Sequence, residues 1–560
     1  MARKRPKTGV PSAKALGLSL GEAAGLLLAF AALALAVYWP ALEGPFVSDD
    51  LHYVATNPYV QSLSFDNVRQ ILDPWGAPGI FVVNYTPVHL LLHAVQWSLF
   101  GPSVVGYHVT NVLLHALGSV LLVAVFRASG VQSAAALLGG LLFLLHPVNV
   151  EAVAWISQLK TTACFVLSLG ALLAFPTSPA LATPLFFLAL LAKPTASFLL
   201  PVAAVVVFVR LWRGKAPVRH LVWLALWTAG FLLLAVAQIE VNRRGGTPDA
   251  GLTATGLDRI RTVAAIALRY VVMSASSLGV SAFHEPERSL SATDPWFLAS
   301  IPVLALVFAR SVWSLVRRRE EAVYWVWAAA SFAPVSQIFP FLYPMADRYL
   351  YFILPGFLGA SLLALQALFK GRVPRRLSPA LRAAAPRVGF ALGTALCIVF
   401  AVRSHARAEI WRTPALLLAD AARNYPDGVS ANLLRAKRAV QEGDADRAVA
   451  ALQAAQARGF NRFEQLENDP SYDPIRGDSR FQAIVREMAA WWIERSYRLQ
   501  DPTQLDLRMR AVAHLARGEE AEAIRALEAA LARGGPIDER IRAELSDLRR
   551  SAAAPQADPR

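Results

Sequence analysis

Asp49 and Asp50 stand side by side just after the first apolar stretch of a chain dominated by apolar runs. Two adjacent carboxylates at a membrane surface are costly to keep together unless they face water, a cation or a substrate. The loop that carries them also holds His52, Asn57, Asp73, Asn84, His89 and His93, a dense set of polar groups. Further along, Lys160, Lys193 and Arg348 fall at the ends of apolar segments, and His146, Glu151, Asp347 and Tyr349 lie beside such ends. His108, Asn111 and His115 share one face at helical spacing, which suits bonding between helices better than a metal site. No zinc spacing is present, and an adjacent Asp pair is not in itself a metal motif. No metal-binding residue is therefore assigned, although a divalent cation is chemically compatible with the pair.

The elements that must hold these residues are membrane helices. The chain has 560 residues, 55% of them hydrophobic, and a mean hydropathy of +0.40. That excludes a soluble globular protein of this size. Apolar runs recur from Ala15 to about Ser404, and after His405 the sequence turns polar and rich in Ala and Arg. The expected fold is all-α: a polytopic membrane domain over 1–404, a helical repeat domain over 405–550, and a disordered tail over 551–560. Runs at 20–42, 106–127, 131–150, 161–176, 180–193, 195–212, 219–240, 294–316, 321–340, 348–370 and 388–404 predict about eleven spans. The stretch 258–290, with several charges, reads instead as a re-entrant or surface helix pair.

The net charge of +15 does not point to nucleic acid. Its clusters, such as Arg317-Arg318-Arg319, all fall on one side of the predicted topology, as a cytoplasmic face requires. With a cytoplasmic N-terminus, the loops 43–105 and 241–293 and the C-terminal domain lie on the far side. The basic residues Arg3, Lys4, Arg5 and Lys7 before the first run read as the flank of a retained first helix. Cys164 and Cys397 sit inside apolar runs and imply no disulfide. Richness in Ala, Arg and Pro suggests a bacterial chain, hence an inner membrane and a periplasmic C-terminal domain.

The C-terminal region contains an internal echo. Gly443-Asp444-Ala445-Asp446-Arg447-Ala448-Val449-Ala450-Ala451-Leu452 returns as Gly518-Glu519-Glu520-Ala521-Glu522-Ala523-Ile524-Arg525-Ala526-Leu527. Small residues at this spacing let paired helices pack closely, as in tetratricopeptide-type repeats. First helices of each pair are expected over Ser430–Glu442 and Leu505–Arg517. A further helical unit is expected between Asp469 and Met488.

Four stretches together resemble bacterial relatives of the transmembrane and tetratricopeptide repeat-containing O-mannosyltransferases, of the GT-C glycosyltransferase superfamily. They are Phe46-Val47-Ser48-Asp49-Asp50; Tyr107-His108-Val109-Thr110-Asn111-Val112-Leu113-Leu114-His115; His146-Pro147-Val148-Asn149-Val150-Glu151-Ala152-Val153-Ala154-Trp155-Ile156-Ser157; and Met345-Ala346-Asp347-Arg348-Tyr349-Leu350-Tyr351. Lys193-Pro194 matches as well.

The resemblance implies a GT-C-like membrane fold and an inverting transfer of a sugar from a polyprenyl-phosphate carrier to an acceptor, such as protein Ser or Thr, on the far face. It implies Asp49 as general base, with Asp50 orienting it or binding sugar hydroxyls. Lys193, Arg348 and Lys160 become candidate binders of the donor phosphate, Arg as a two-pronged donor and Lys as a point charge. His146, Glu151, Asp347 and Tyr349 become candidates to line the site, Asp347 pairing with Arg348 or a neighbouring span. The repeats would recruit the acceptor protein.

The blander alternatives are solvated acids capping a helix and cations snorkelling at helix ends. One departure stands out: Gln158-Leu159-Lys160-Thr161 lacks the Arg that usually precedes the Lys. Two other functions remain open: transfer to a lipid or surface polysaccharide, and a non-catalytic membrane scaffold. A transporter is disfavoured, because the halves show no inverted repeat with broken helices.

Overall fold

The computed structural model describes residues 19–212, 218–245, 256–338, 343–371, 379–499, 502–535 and 537–553. The N-terminal basic cluster and residues 554–560 of the expected tail lie outside these residues. All regular structure among them is helical, with no strand. This is the expected class, and its cause is direct. In a bilayer every backbone N–H and C=O needs an internal partner, and a helix supplies them locally.

Among the described residues, seven helices are long and apolar enough to cross a membrane: Gly21–Ala41, Val105–Ala128, Ile156–Ala174, Arg219–Arg244, Pro295–Val316, Asp347–Leu368 and Arg387–Arg412. An eighth span arises if Ser133–Leu145 and Pro147–Ala154 count as one helix bent by 49°. Two further expected spans appear as the shorter apolar helices Pro179–Ala192 and Pro194–Val209. The apolar run at 321–340 gives a helix of 12 residues, Glu321–Phe332. The expected helix pair at 258–290 is one helix, Gly256–Ser276, followed by irregular chain up to Pro295.

The chain divides into two compact units, one formed by 1–50, 100–234 and 250–416, the other by 51–99, 235–249 and 417–560. Within the first, the bend after Leu145 has a clear cause. Pro147 cannot donate a backbone hydrogen bond, so the carbonyls one turn before it lose their helical partners. Side chains replace them. Asn149 Nδ2 donates to Phe143 O (2.6 Å), His115 Nε2 to Leu144 O (3.0 Å) and Ser404 Oγ to Leu145 O (2.7 Å). A second break, at Trp155, is served by Asn111 Nδ2, which donates to Trp155 O (3.0 Å) and Ile156 O (3.3 Å). The polar face read from the sequence as helix glue thus bonds to broken backbone.

Helix Leu350–Gly371 packs closely against Glu321–Phe332. A Cβ on Gly356 would stand 2.6 Å from Ala328 N and 2.7 Å from Tyr324 O, both backbone atoms that cannot swing aside. Small residues permit this approach where no hydrophobic force drives helices together. Gly356→Ala is therefore expected to destabilise the membrane helices by about 1–3 kcal/mol, the usual cost of overpacking. A thermal melt in detergent should show a lowered midpoint, and an unchanged one would contradict the close contact.

In the second unit the echoed sequences form matching hairpins. Val429–Gln441 pairs with Ala445–Ala457, and Gln504–Ala516 with Glu520–Arg533. Both turn at a glycine in the left-handed region, Gly443 (φ 76°) and Gly518 (φ 77°), where a side chain would be strained. Asp444 caps its helix by accepting from Arg447 N, whereas Glu519 at the corresponding place makes no side-chain cap. Ala448, Leu452 and Ala455 are buried in one core, and their echoes Ala523, Leu527 and Ala530 in another. The expected unit after Asp469 is a short turn, Pro470–Ile475, and a helix, Ser479–Tyr497, whose Phe481, Ile484 and Met488 join the first core.

Candidate active site

The acidic pair sits in the loop that follows the first span. Ser48, just before it, has φ 51°, a left-handed conformation that a non-glycine residue adopts only when its surroundings impose it. The surroundings here are specific. Asp50 is 1% exposed. Its Oδ2 accepts from Val47 N (3.0 Å) and its Oδ1 from Ser157 N (2.6 Å). Trp155 Nε1 donates to Val47 O (3.2 Å), joining the same two segments a second time. Burial pushes the Asp50 carboxyl up to about 7, against the pull of the backbone hydrogen bonds from Val47 and Ser157. The neighbouring Asp49 charge pushes the same way as burial. Asp49 itself is only partly buried. Asp50 is thus committed to holding the loop, while Asp49 keeps an accessible carboxylate.

Arg348 begins the helix that continues as Leu350–Gly371. Its guanidinium pairs with Glu151, and Glu151 Oε2 also accepts from Arg348 N (2.7 Å). One buried carboxylate therefore holds both the charge and the backbone of Arg348. Three rings surround the guanidinium, Tyr343, Tyr349 and Trp155, at 5.0, 5.1 and 5.2 Å from its carbon to each centroid. The negative ring faces attract a cation. The Asp49 charge also acts on Arg348.

Lys193 caps the end of Pro179–Ala192, and its Nζ donates to Thr161 Oγ1 (2.7 Å). Thr161 Oγ1 donates in turn to Gln158 Oε1 (2.7 Å). Lys193 feels repulsion from both Lys160 and Arg348, so the three cations stand within range of one another. Lys160 is largely buried on Leu159–Ala174. The Leu159 side chain, where the resembled family carries Arg, is buried.

The structure thus gathers Asp49, Asp50, Glu151, Lys160, Lys193, Arg348 and Tyr349 from segments far apart in sequence. His146 is engaged in the bend. Its Nε2 donates to Ser274 O (3.1 Å), its Nδ1 accepts from Val148 N (3.3 Å), and its ring lies 4.4 Å from Phe400. Asp347 pairs across the structure rather than with its neighbour Arg348. It accepts from His284 Nε2 (2.7 Å) and Ser281 N (3.2 Å), and Arg407 Nη2 lies 3.6 Å away. Sequence reasoning missed Ser157, Thr161 and Trp155 as site residues. Ser157 acts through its backbone, which no residue type reveals. Among the described residues, no three His, Cys, Asp or Glu side chains are grouped as a metal site.

No protein-family model matches the chain, and no solved structure does. Stretches of it are similar to curated proteins. Protein O-mannosyl-transferase Tmtc1 of Drosophila melanogaster is 30% identical over 171 residues, 29% of this chain and 19% of that protein. Protein O-mannosyl-transferase TMTC1 of Homo sapiens is 30% identical over 169 residues, 28% and 18% of the two chains. Protein O-mannosyl-transferase TMTC4 of Homo sapiens is 31% identical over 144 residues, 23% and 19%. The chain thus spans about a fifth of the length of these curated relatives. The likeness and the span-capable helices together mark a membrane protein distantly related, over these stretches, to transferases of that name.

Proposed function

We propose that the chain is a membrane glycosyltransferase of GT-C type that moves a sugar, with inversion, from a polyprenyl-phosphate donor to an acceptor protein. The observation that carries this reading is that the charges of Lys160 and Arg348 act on Lys193, and that of Asp49 on Arg348. Like charges held together in a water-poor place repel one another, and an anionic leaving phosphate relieves that cost. Asp49 takes the proton of the acceptor hydroxyl as general base. Arg348 and Lys193 neutralise the departing phosphate, with Lys160 adding field. Tyr349 and the other rings about Arg348 give the sugar an apolar wall. The helical hairpins of 429–533 act as tetratricopeptide-like repeats that present the acceptor. The bacterial inner membrane, with this face towards the periplasm, fits the composition and the distribution of basic loops.

The test is transfer by the full chain in lipid nanodiscs, given polyprenyl-phosphate mannose and other polyprenyl-phosphate sugars with a periplasmic protein extract. Sugar appearing on protein, seen by mass spectrometry, is expected. Sugar appearing only on lipid or polysaccharide would keep the chemistry and replace the acceptor. No product from any donor would favour a membrane scaffold, the reading that buried Leu159 supports by taking the place of a cation.

A further inference from the structure

The two hydrogen bonds on Asp50 come from two different strands of chain, and neither is held in place by its own helix. Val47 N belongs to the loop 43–50, and Ser157 N to the break after Trp155. Both segments are tied to a third element, helix Val105–Ala128. His108 Nε2 donates to Gly44 O (2.9 Å), at the start of the acidic loop. One turn further, Asn111 Nδ2 donates to Trp155 O and Ile156 O, the two carbonyls immediately before Ser157. His108, Asn111 and Asp50 are all buried, so water does not replace a lost partner cheaply. Phe46 packs edge-on against Tyr107 of the same helix, with centroids 5.4 Å apart.

We propose that His108 and Asn111 are positioning residues for the acidic pair, aligning the two backbone donors that hold Asp50 and so fixing Asp49 towards the acceptor. The proposal deepens the transferase reading and rests on it for the role of Asp49. The alignment itself is independent of that reading. Neither side chain touches the reacting groups. Asn111 fixes the Ile156 carbonyl and thereby the Ser157 N–H of the same peptide, and His108 anchors the Gly44 carbonyl three residues before Val47.

The consequence is measurable on Asp50. A backbone N–H donated to a carboxylate favours its charged form. When Asn111 is removed, Ser157 N is free to turn away, and Asp50 holds its proton to higher pH. The charged group acting on Asp50 is Asp49, on its own loop. On the packed segment 150–160 the charged side chains are Glu151 and Lys160, and on neighbouring elements Lys193 and Arg348. Asn111→Ala leaves all five in place.

The test is an infrared titration of the full chain in nanodiscs, wild type minus Asp50→Asn, which isolates the protonated-carboxyl band of Asp50. In the wild type that band should titrate near pH 7, where burial places it. In Asn111→Ala the midpoint should rise by about one unit, a tenfold gain in proton affinity. His108→Gln keeps a donor and should leave the midpoint within about a third of that change. If Asn111→Ala is too unstable to purify, Asn111→Ser serves in its place and should shift the midpoint in the same direction. A midpoint that does not move in either Asn111 variant overturns the proposal, whatever the protein's activity.

Where transfer is measured, the acid limb of kcat/KM should move upward with the infrared midpoint while the donor KM changes less than about twofold. A shifted midpoint without any transfer would keep the alignment and sink the transferase reading. An unshifted midpoint with normal transfer would do the reverse.

Discussion

Asp49→Asn is expected to lower transfer by about 10²–10⁴-fold, the range a positioned general base contributes. The substitution keeps size and hydrogen bonding and removes only the ability to take a proton. Asp49 is partly exposed, and the loop is held by its neighbour Asp50 through Val47 and Ser157. The variant should therefore fold, reach the membrane and melt as the wild type does. Its donor KM should change little, because the proposed phosphate contacts, Lys193 and Arg348, are left in place. Initial rates over a range of donor concentrations, with a melt of the same preparation, check this. A variant with undiminished kcat would remove Asp49 from the chemistry. Asp50→Asn is the informative contrast, since it disturbs the loop and should lower kcat and stability together.

The second large effect concerns Glu151. This side chain is 2% exposed and pairs with both the guanidinium and the backbone N–H of Arg348. Removing one partner of a buried pair leaves an uncompensated charge and typically costs about 3–5 kcal/mol. Glu151→Ala should therefore yield little folded protein, and what remains should melt well below the wild type. The double variant Glu151→Ala with Arg348→Met removes both charges and should regain much of the lost stability. It should not regain transfer, because the contact proposed for Arg348 with the leaving phosphate is gone. Recovery of stability without recovery of activity would separate the structural cost of the pair from its chemical use. Recovery of both would show that the pair serves only the fold.

Much of the helical architecture was legible in the sequence because long apolar runs have few alternatives in a membrane. The echo between Gly443–Leu452 and Gly518–Leu527 was equally legible, since turn glycines and small core residues recur at fixed offsets. The span count was harder. Pro147, Pro194 and the short run after Glu321 divide apolar sequence into pieces whose hydropathy matches a full span while their length does not. At the site, Asp49, Asp50, Lys193 and Arg348 could be singled out because charges near apolar segments need a reason to exist. The partner of each was not legible. Glu151 could have belonged to any cation nearby, and Asp347 pairs with His284 and Arg407, residues 63 and 60 positions away in opposite directions along the chain. Backbone donors such as Ser157 N leave no mark in residue type at all.

The bend at Leu145–Pro147 also bears on how the protein is made. Its carbonyls are satisfied by His115, from a helix synthesised earlier, by Asn149 at the bend itself, and by Ser404, from the last long apolar helix. A ribosome delivers Ser404 more than two hundred residues after Leu145, so the bent segment enters the membrane with one carbonyl still waiting. The bend that leads into Glu151 and Ser157 is thus finished only on arrival of this late apolar helix. Assembly of the acidic loop's frame therefore waits on a distant part of the chain, and a chain released before Ser404 would hold every residue of that loop without the full frame around it.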